Sequence, residues 1–198
     1  MGKAFSEEER NQKKIALMEA ALELFHESGT KSLSIRELTK RAGISQGGFY
    51  TFWEDKDALV LDVLKYRAAQ KLEAVKPYFP ASLSSPRTFL ANRLYDWCID
   101  LKDKLLTKPL YRDSLSQMRR ASGLEANRLT AIYSDFLKEL AAYWINNGAA
   151  KSVDIDGLVN LFAAAGIFLN DQIQLDGKYF DELLRILIDG GVHKYITV

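Results

Sequence analysis

Apolar residues recur along this chain at helical spacing. From Gln12 to His26, Ile15, Met18, Leu22 and Phe25 fall at i, i+3, i+7 and i+10, and Leu17, Ala21 and Leu24 widen the stripe. A core-facing helix is expected there, ended by Ser28-Gly29. The polar, mixed-charge residues up to about Asn11 read as a flexible arm. Ile35, Leu38 and Ala42 mark a short helix, and another begins at Gln46. A longer one, capped by Asp55, runs from Lys56 to about Lys76 on Leu59, Val63, Tyr66 and Ala69. Pro77, Pro80, Ser82, Ser84 and Ser85 mark a break, the best domain boundary in the chain.

Everything beyond also reads as helix. Ser85-Pro86 opens one that carries Phe89, Leu94, Trp97, Leu101 and Leu105. Pro109 opens a shorter one to about Arg119, broken by Ser122-Gly123. Leu124 to Asn147 carries Leu129, Ile132, Phe136, Leu140, Tyr143 and Trp144, closed by Gly148. Asp156 to Leu175 and Lys178 to Lys194 complete the set, and no β pattern or repeat stands out. The expected fold is all-α, with about nine helices. Residues 1–55 would form an N-terminal three-helix domain, 56–76 a connecting helix, and 77–198 a C-terminal helical bundle.

The stretch Ser34 to Trp53, SIRELTKRAGISQGGFYTFW, organises the chain. Ser34 and Glu37 have the S-x-x-E spacing of a capping box. Gly43 stands where a chain leaves a helix with positive φ. Ile44 plugs the turn, and Ser45 caps a second helix. Helix, short turn with Gly, helix is the helix-turn-helix signature. Gly47 and Gly48 then sit side by side, where each costs about 1 kcal/mol against Ala in a helix. One reading is that the backbone must come close to something, such as the wall of a major groove. The other is a loose turn. On the first reading, Gly48→Leu keeps the fold and abolishes DNA binding.

The run Ile35, Leu38, Ala42-Gly43-Ile44-Ser45, Gly48-Phe49-Tyr50, Phe52, Lys56 and Leu59 resembles the N-terminal DNA-binding domain of the TetR family of bacterial transcription regulators. The chain departs from the family pattern at Trp53 and in the Gly47-Gly48 pair, which removes a side chain that could read a base. The resemblance implies a ligand-responsive regulator, most often a repressor, that binds double-stranded operator DNA as a homodimer. It places the second helix of the motif in the major groove, with Gln46 at base edges and the backbone of Gly47 and Gly48 against bases or sugars. Tyr50 and Lys56 match positions that hold phosphates. The amides that open the Lys56 helix would face a phosphate too. Ser34, Arg36, Ser45 and Thr51 are the further DNA-contact candidates.

Charge alone does not suggest nucleic acid, because 27 Lys and Arg stand against 26 Asp and Glu. The DNA argument rests on local clusters: Lys3, Arg10, Lys13 and Lys14, and then Arg36, Lys40, Arg41 and Lys56. Glu7 to Glu9, Glu19, Glu23 and Glu27 offset them in the count. The single cysteine, Cys98, lies between apolar residues and reads as a small buried hydrophobe. His26 and His193 lie near helix ends, without a second ligand at metal spacing. No cofactor or metal is expected. The alternative, an all-α enzyme or binding protein with an incidental helix-turn-helix, lacks a constellation with roles; Asp96 and Asp100 read as solvated surface. No apolar run is long enough to span a membrane and no secretory leader pattern opens the chain, so a cytoplasmic protein is expected.

Two further sets follow. The Asp156 to Leu175 segment is apolar over most of its circumference, which calls for cover on all sides. A second copy is the expected cover, through Leu161, Ala164 and Phe168 with Leu184, Leu187 and Ile188; burial within its own subunit is the alternative. The aromatic-rich second half suggests a small-molecule pocket lined by Tyr66, Trp97, Tyr111, Met118, Phe136, Asn170 and Gln174.

Overall fold

The computed structural model describes residues 6–108, 111, 123–170 and 177–198. In order, the elements are α1 (Glu7–Ser28), α2 (Ile35–Arg41), α3 (Gln46–Phe49), α4 (Lys56–Glu73), a 3-10 turn (Lys76–Tyr78), α5 (Phe79–Ser82), α6 (Pro86–Thr107), α7 (Gly123–Asn146), β1 (Ser152–Val153), α8 (Ile155–Asn170), α9 (Gly177–Tyr195) and β2 (Ile196–Thr197). The all-α expectation holds. The shorter helix expected from Pro109 to Arg119 lies outside the described residues apart from Tyr111, as do Lys3 and the last residues of the Asp156–Leu175 segment. Among the described residues no helix is long and apolar enough to cross a membrane.

Three expectations are corrected. Residues 6–11 are not a flexible arm; α1 starts at Glu7. Ser6 Oγ accepts the Glu9 amide at 3.1 Å and Glu9 Oε2 accepts the Ser6 amide at 2.8 Å, a complete capping box that starts the helix on charged residues. The segment from Pro77 to Ser82 is not a loose break. It is wound into helical turns with proline in their first positions, where no amide donor is needed. Finally, β1 and β2 pair antiparallel, Ser152 with Thr197 and Val153 with Ile196. Two residues are too few to show a period of two in sequence.

The chain packs as two compact units, Met1–Ala69 with Leu105–Ala126 and Gln70–Lys104 with Asn127–Val198. The core of the first is Leu17, Met18, Ala21, Leu24 and Phe25 of α1, Leu38 of α2, Phe49 of α3, Trp53, and Leu59, Val60 and Val63 of α4. The α1 stripe is thus centred on Leu17, Leu24 and Phe25, while Ile15 and Leu22 lie at its half-buried edge. Each fully buried Leu or Phe contributes about 1.5–3 kcal/mol, so the short α2 and α3 are held by sharing one core with α1 and α4.

In the second unit α8 and α9 pack closely. A Cβ on Gly191 would stand 2.6 Å from Leu161 Cδ1, and one on Gly157 would run into the Tyr195 ring. Glycine is needed at both places for close approach. Trp144 is fully buried, and its indole donates to Ser82 Oγ at 2.6 Å, while Ser82 in turn donates to the Phe79 carbonyl at 2.7 Å. This relay satisfies two buried polar groups and ties α5 to α7. Phe79 also packs on Phe136 and Tyr143. At the end of α9, the β pair, the Arg87 bond to the Ile196 carbonyl (2.8 Å) and the Lys151 amide bond to the Thr197 carbonyl (2.7 Å) hold the last residues in place. Cys98 is buried, and burial pushes its thiol up to about 11, which leaves it an unreactive core residue.

Candidate nucleic-acid interface

The turn between α2 and α3 is built from local chemistry. Ser34 Oγ accepts the Glu37 amide at 3.4 Å and caps α2. The reciprocal half of a capping box is replaced, because Glu37 pairs with Arg41 at 3.2 Å. Gly43 has φ +66, a conformation that other L residues rarely adopt. It lets the Ile44 amide turn back to the Thr39 carbonyl at 2.9 Å. Thr39 is buried, and its hydroxyl is satisfied by the Ile35 carbonyl at 2.8 Å. Ser45 Oγ accepts the Gly48 amide at 3.2 Å and starts α3. Asp55 caps α4 through the Ala58 amide at 2.8 Å.

Ser34, Arg36, Ser45, Gln46, Gly47, Tyr50, Thr51 and Lys56 are all exposed around this turn, and Gly48 is half-buried. Tyr50 is 60% exposed, so the core does not account for its ring. Among the described residues no ion pair engages Arg36, Lys40 or Lys56. The hydroxyls of Ser34 and Ser45 use a lone pair on the caps and keep their protons to donate. Thr51 differs: its hydroxyl donates to the Gly48 carbonyl at 2.7 Å, so it can only accept from a ligand.

Gly47 and Gly48 are not equivalent. A Cβ on Gly47 would meet nothing within 4 Å, whereas one on Gly48 would stand 2.5 Å from Ile44 Cγ2. The expectation that Gly48→Leu keeps the fold is therefore corrected. Gly48 lets α3 fold down on its own turn, and only Gly47 leaves its surface clear for an outside partner.

The flanking cations divide as well. Arg41 is held by Glu27 through two hydrogen bonds at 3.1 and 2.9 Å, and by Glu37, so it clamps α2 to α1. Arg10 donates to the Thr51 carbonyl at 3.1 Å and lies 5.7 Å from the Phe52 ring centre. Lys14 pairs with Asp62 at 2.8 Å. These residues act within the domain. Asp62 also accepts the Trp53 indole N–H at 3.0 Å. Burial works against its charge, but the bonds from Lys14 and Trp53 outweigh it and hold the carboxyl below its ordinary range. Trp53 is core, 4% exposed. Sequence reasoning missed Asp62. The available signal was that a buried indole needs an acceptor, and Asp62 stands among the apolar positions of α4.

A family model described as bacterial regulatory proteins, tetR family, matches residues 17–63, the span from mid-α1 into α4. Residues 17–63 carry the DNA-binding pattern of the TetR family. Over 55 residues it is 40% identical to YuxN of Bacillus subtilis, named as an uncharacterised HTH-type transcriptional regulator. That match covers 28% of this chain and 19% of the relative. The TetR-type fold extends further. A TetR regulator structure from Rhodococcus sp. RHA1 superposes over 94% of this chain and 98% of its own, with TM-score 0.66 and 18% identity. The structure of RolR in complex with resorcinol covers 96% of this chain and 90% of its own, with TM-score 0.63 and 19% identity.

The other sets expected from the sequence are distributed as follows. Of the pocket set, Tyr66 and Tyr111 pack against the core of the first unit. Trp97 and Phe136 belong to the core of the second. Met118, Gln174 and the Asn170 side chain lie outside the described residues. Of the dimer set, Leu161, Leu184 and Ile188 are buried in their own chain, with Leu184 and Ile188 at 0% exposure. Ala164, Phe168 and Leu187 are half-buried. The large apolar residues left outward on α8 and α9, among the described residues, are Ile167 (64% exposed), Tyr179 (50%), Leu183 (40%) and Ile186 (60%).

Proposed function

We propose that the protein is a transcriptional regulator that binds operator DNA in the cytoplasm as a homodimer and is released by a small molecule. The observation that carries this is the exposed ring of Ser34, Arg36, Ser45, Gln46, Gly47, Tyr50 and Lys56 around a helix-turn-helix of TetR type. Gln46 reads base edges, and Gly47 lets the backbone approach them. Ser34, Arg36, Ser45, Tyr50, Lys56 and the opening amides of α4 hold phosphates, which fix register without reading sequence. We retain residues 1–55 as the DNA-binding part and 77–198 as the ligand-binding and dimerisation part. Binding of resorcinol by RolR supports a small-molecule effector here. The aromatic side chains of the second unit supply material for such a pocket. The effector must favour the unbound conformation, and operator DNA must then weaken its binding by the same factor.

The test is enrichment of duplexes from a random-sequence library by the full chain, followed by titration at several salt concentrations. A discrete consensus is expected. Lys56→Ala is expected to weaken binding to all sequences alike and to flatten log K against log salt by about 0.9, the loss of one phosphate contact. Recovery of no sequence preference and no salt-dependent affinity would remove the DNA-binding reading.

A further inference from the structure

We propose that Asp62 is a positioning residue for DNA recognition, which holds Trp53 and through it the turn that presents Tyr50 in the pose that meets a phosphate. This rests on the DNA-binding reading above. Three parts of the domain converge on one carboxylate. Lys14 of α1 reaches Asp62 Oδ2 at 2.8 Å, the Trp53 indole reaches the same oxygen at 3.0 Å, and Lys65 of α4 approaches Oδ1 at 3.5 Å. Trp53 is a rigid plate fixed on both sides. Its ring packs on Phe49 and Phe52, with centroids 5.6 and 5.5 Å away, and its N–H is anchored on Asp62. Its amide donates to the Phe49 carbonyl at 3.2 Å. The chain between Phe49 and Trp53 is the segment that presents Tyr50 and Thr51. Arg10 ties the same segment to α1 through the Thr51 carbonyl at 3.1 Å. Asp62 thus acts on exposed residues it does not touch.

The charge of Asp62 makes the idea decidable. A carboxylate beside a phosphate-binding surface repels DNA, so its removal should strengthen binding if charge is all that matters. Positioning gives the opposite sign. Asp62→Ala deletes both the charge and the anchor. Trp53→Phe deletes the indole N–H with part of the ring and leaves net charge unchanged. Both variants and the wild-type chain, each with and without Tyr50→Phe, are titrated against a duplex enriched by the wild type, at a temperature below each variant's own melting point. Both variants are expected to bind roughly tenfold more weakly, the scale of one lost contact, and Tyr50→Phe added to either should cost little further affinity although it weakens the wild-type chain. A role in stability alone would lower the melting temperature and leave the full cost of Tyr50→Phe intact. Binding by Asp62→Ala at or above wild-type affinity, or an undiminished cost of Tyr50→Phe in that variant, would overturn the proposal. If Asp62→Ala does not fold, Trp53→Phe decides by the same measurement. A wild-type chain that enriches no duplex would instead overturn the DNA-binding reading, and this proposal with it.

Discussion

A side chain at position 47 would point into open space, while one at position 48 would press on Ile44 Cγ2 at 2.5 Å. The neighbouring glycines should therefore respond oppositely to alanine. Gly47→Ala should raise the melting temperature, since alanine is better than glycine in a helix by up to about 1 kcal/mol. It should also weaken operator binding by adding bulk on the DNA side. Gly48→Ala should lower the melting temperature, because Ile44 is branched at the clashing atom and cannot swing away cheaply. Melts and DNA titrations on the two variants check this; a Gly47→Ala chain that is more stable and binds in full would show that nothing approaches closely there. At this scale the sequence was informative wherever one residue decides one dihedral or one cap. Gly43, Ser34, Ser45 and Asp55 all do what their type suggests. It was uninformative wherever a residue answers to a distant partner. Nothing local marks Asp62 as the acceptor for Trp53, or separates Arg41 of the clamp from Arg36 on the surface.

The α8–α9 pair shows how much an element's neighbours decide. Gly190 and Gly191 lie in the last turns of α9, yet a Cβ on Gly190 meets nothing while one on Gly191 meets Leu161 Cδ1 at 2.6 Å. Gly191→Val should destabilise the chain by roughly 1–3 kcal/mol, the usual result of overpacking. Gly190→Ala should be neutral or stabilising by up to about 1 kcal/mol. Denaturant melts would measure both, and equal effects would mean that the helices separate freely at this crossing. The apolar circumference of α8 was plain in the sequence. Its division into Leu161, turned to the core, and Ile167, turned outward, was not, because periodicity gives a face and not its partner. The start of α1 was missed for a related reason: a helix begun by Ser6 and Glu9 over charged residues has no apolar period to announce it.

For the whole molecule, the exposed Ile167, Leu183 and Ile186 set the assembly question. Single surface apolar residues need no explanation, but several on two helices that pack together are candidates for cover by a partner. On the proposed homodimeric reading, Ile167→Asp and Ile186→Asp should shift the protein from dimer to monomer in sedimentation and leave the core residues Leu161, Leu184 and Ile188 packed. DNA affinity should then fall towards that of a half-site, because two motifs read successive major grooves only when joined about 34 Å apart. Dimers that persist in the double variant would move the interface elsewhere. The break in the helical pattern near Pro77 was legible in the sequence, but its packing was not. Proline and serine at 77–85 looked like a linker, whereas Phe79 and Ser82 are buried parts of the second core.

The placement of the three tryptophans has an optical consequence. Trp53 belongs to the first unit, and Trp97 and Trp144 to the second. Trp53 lies against a carboxylate and a lysine, while Trp144 is sealed in the core on a serine hydroxyl. Their emission should differ in colour and in quenching. Chains that keep Trp53 alone or Trp144 alone would let the two halves be watched separately as denaturant rises. Coincident transitions would mean that the halves unfold as one cooperative body, and a gap between them would give each its own stability.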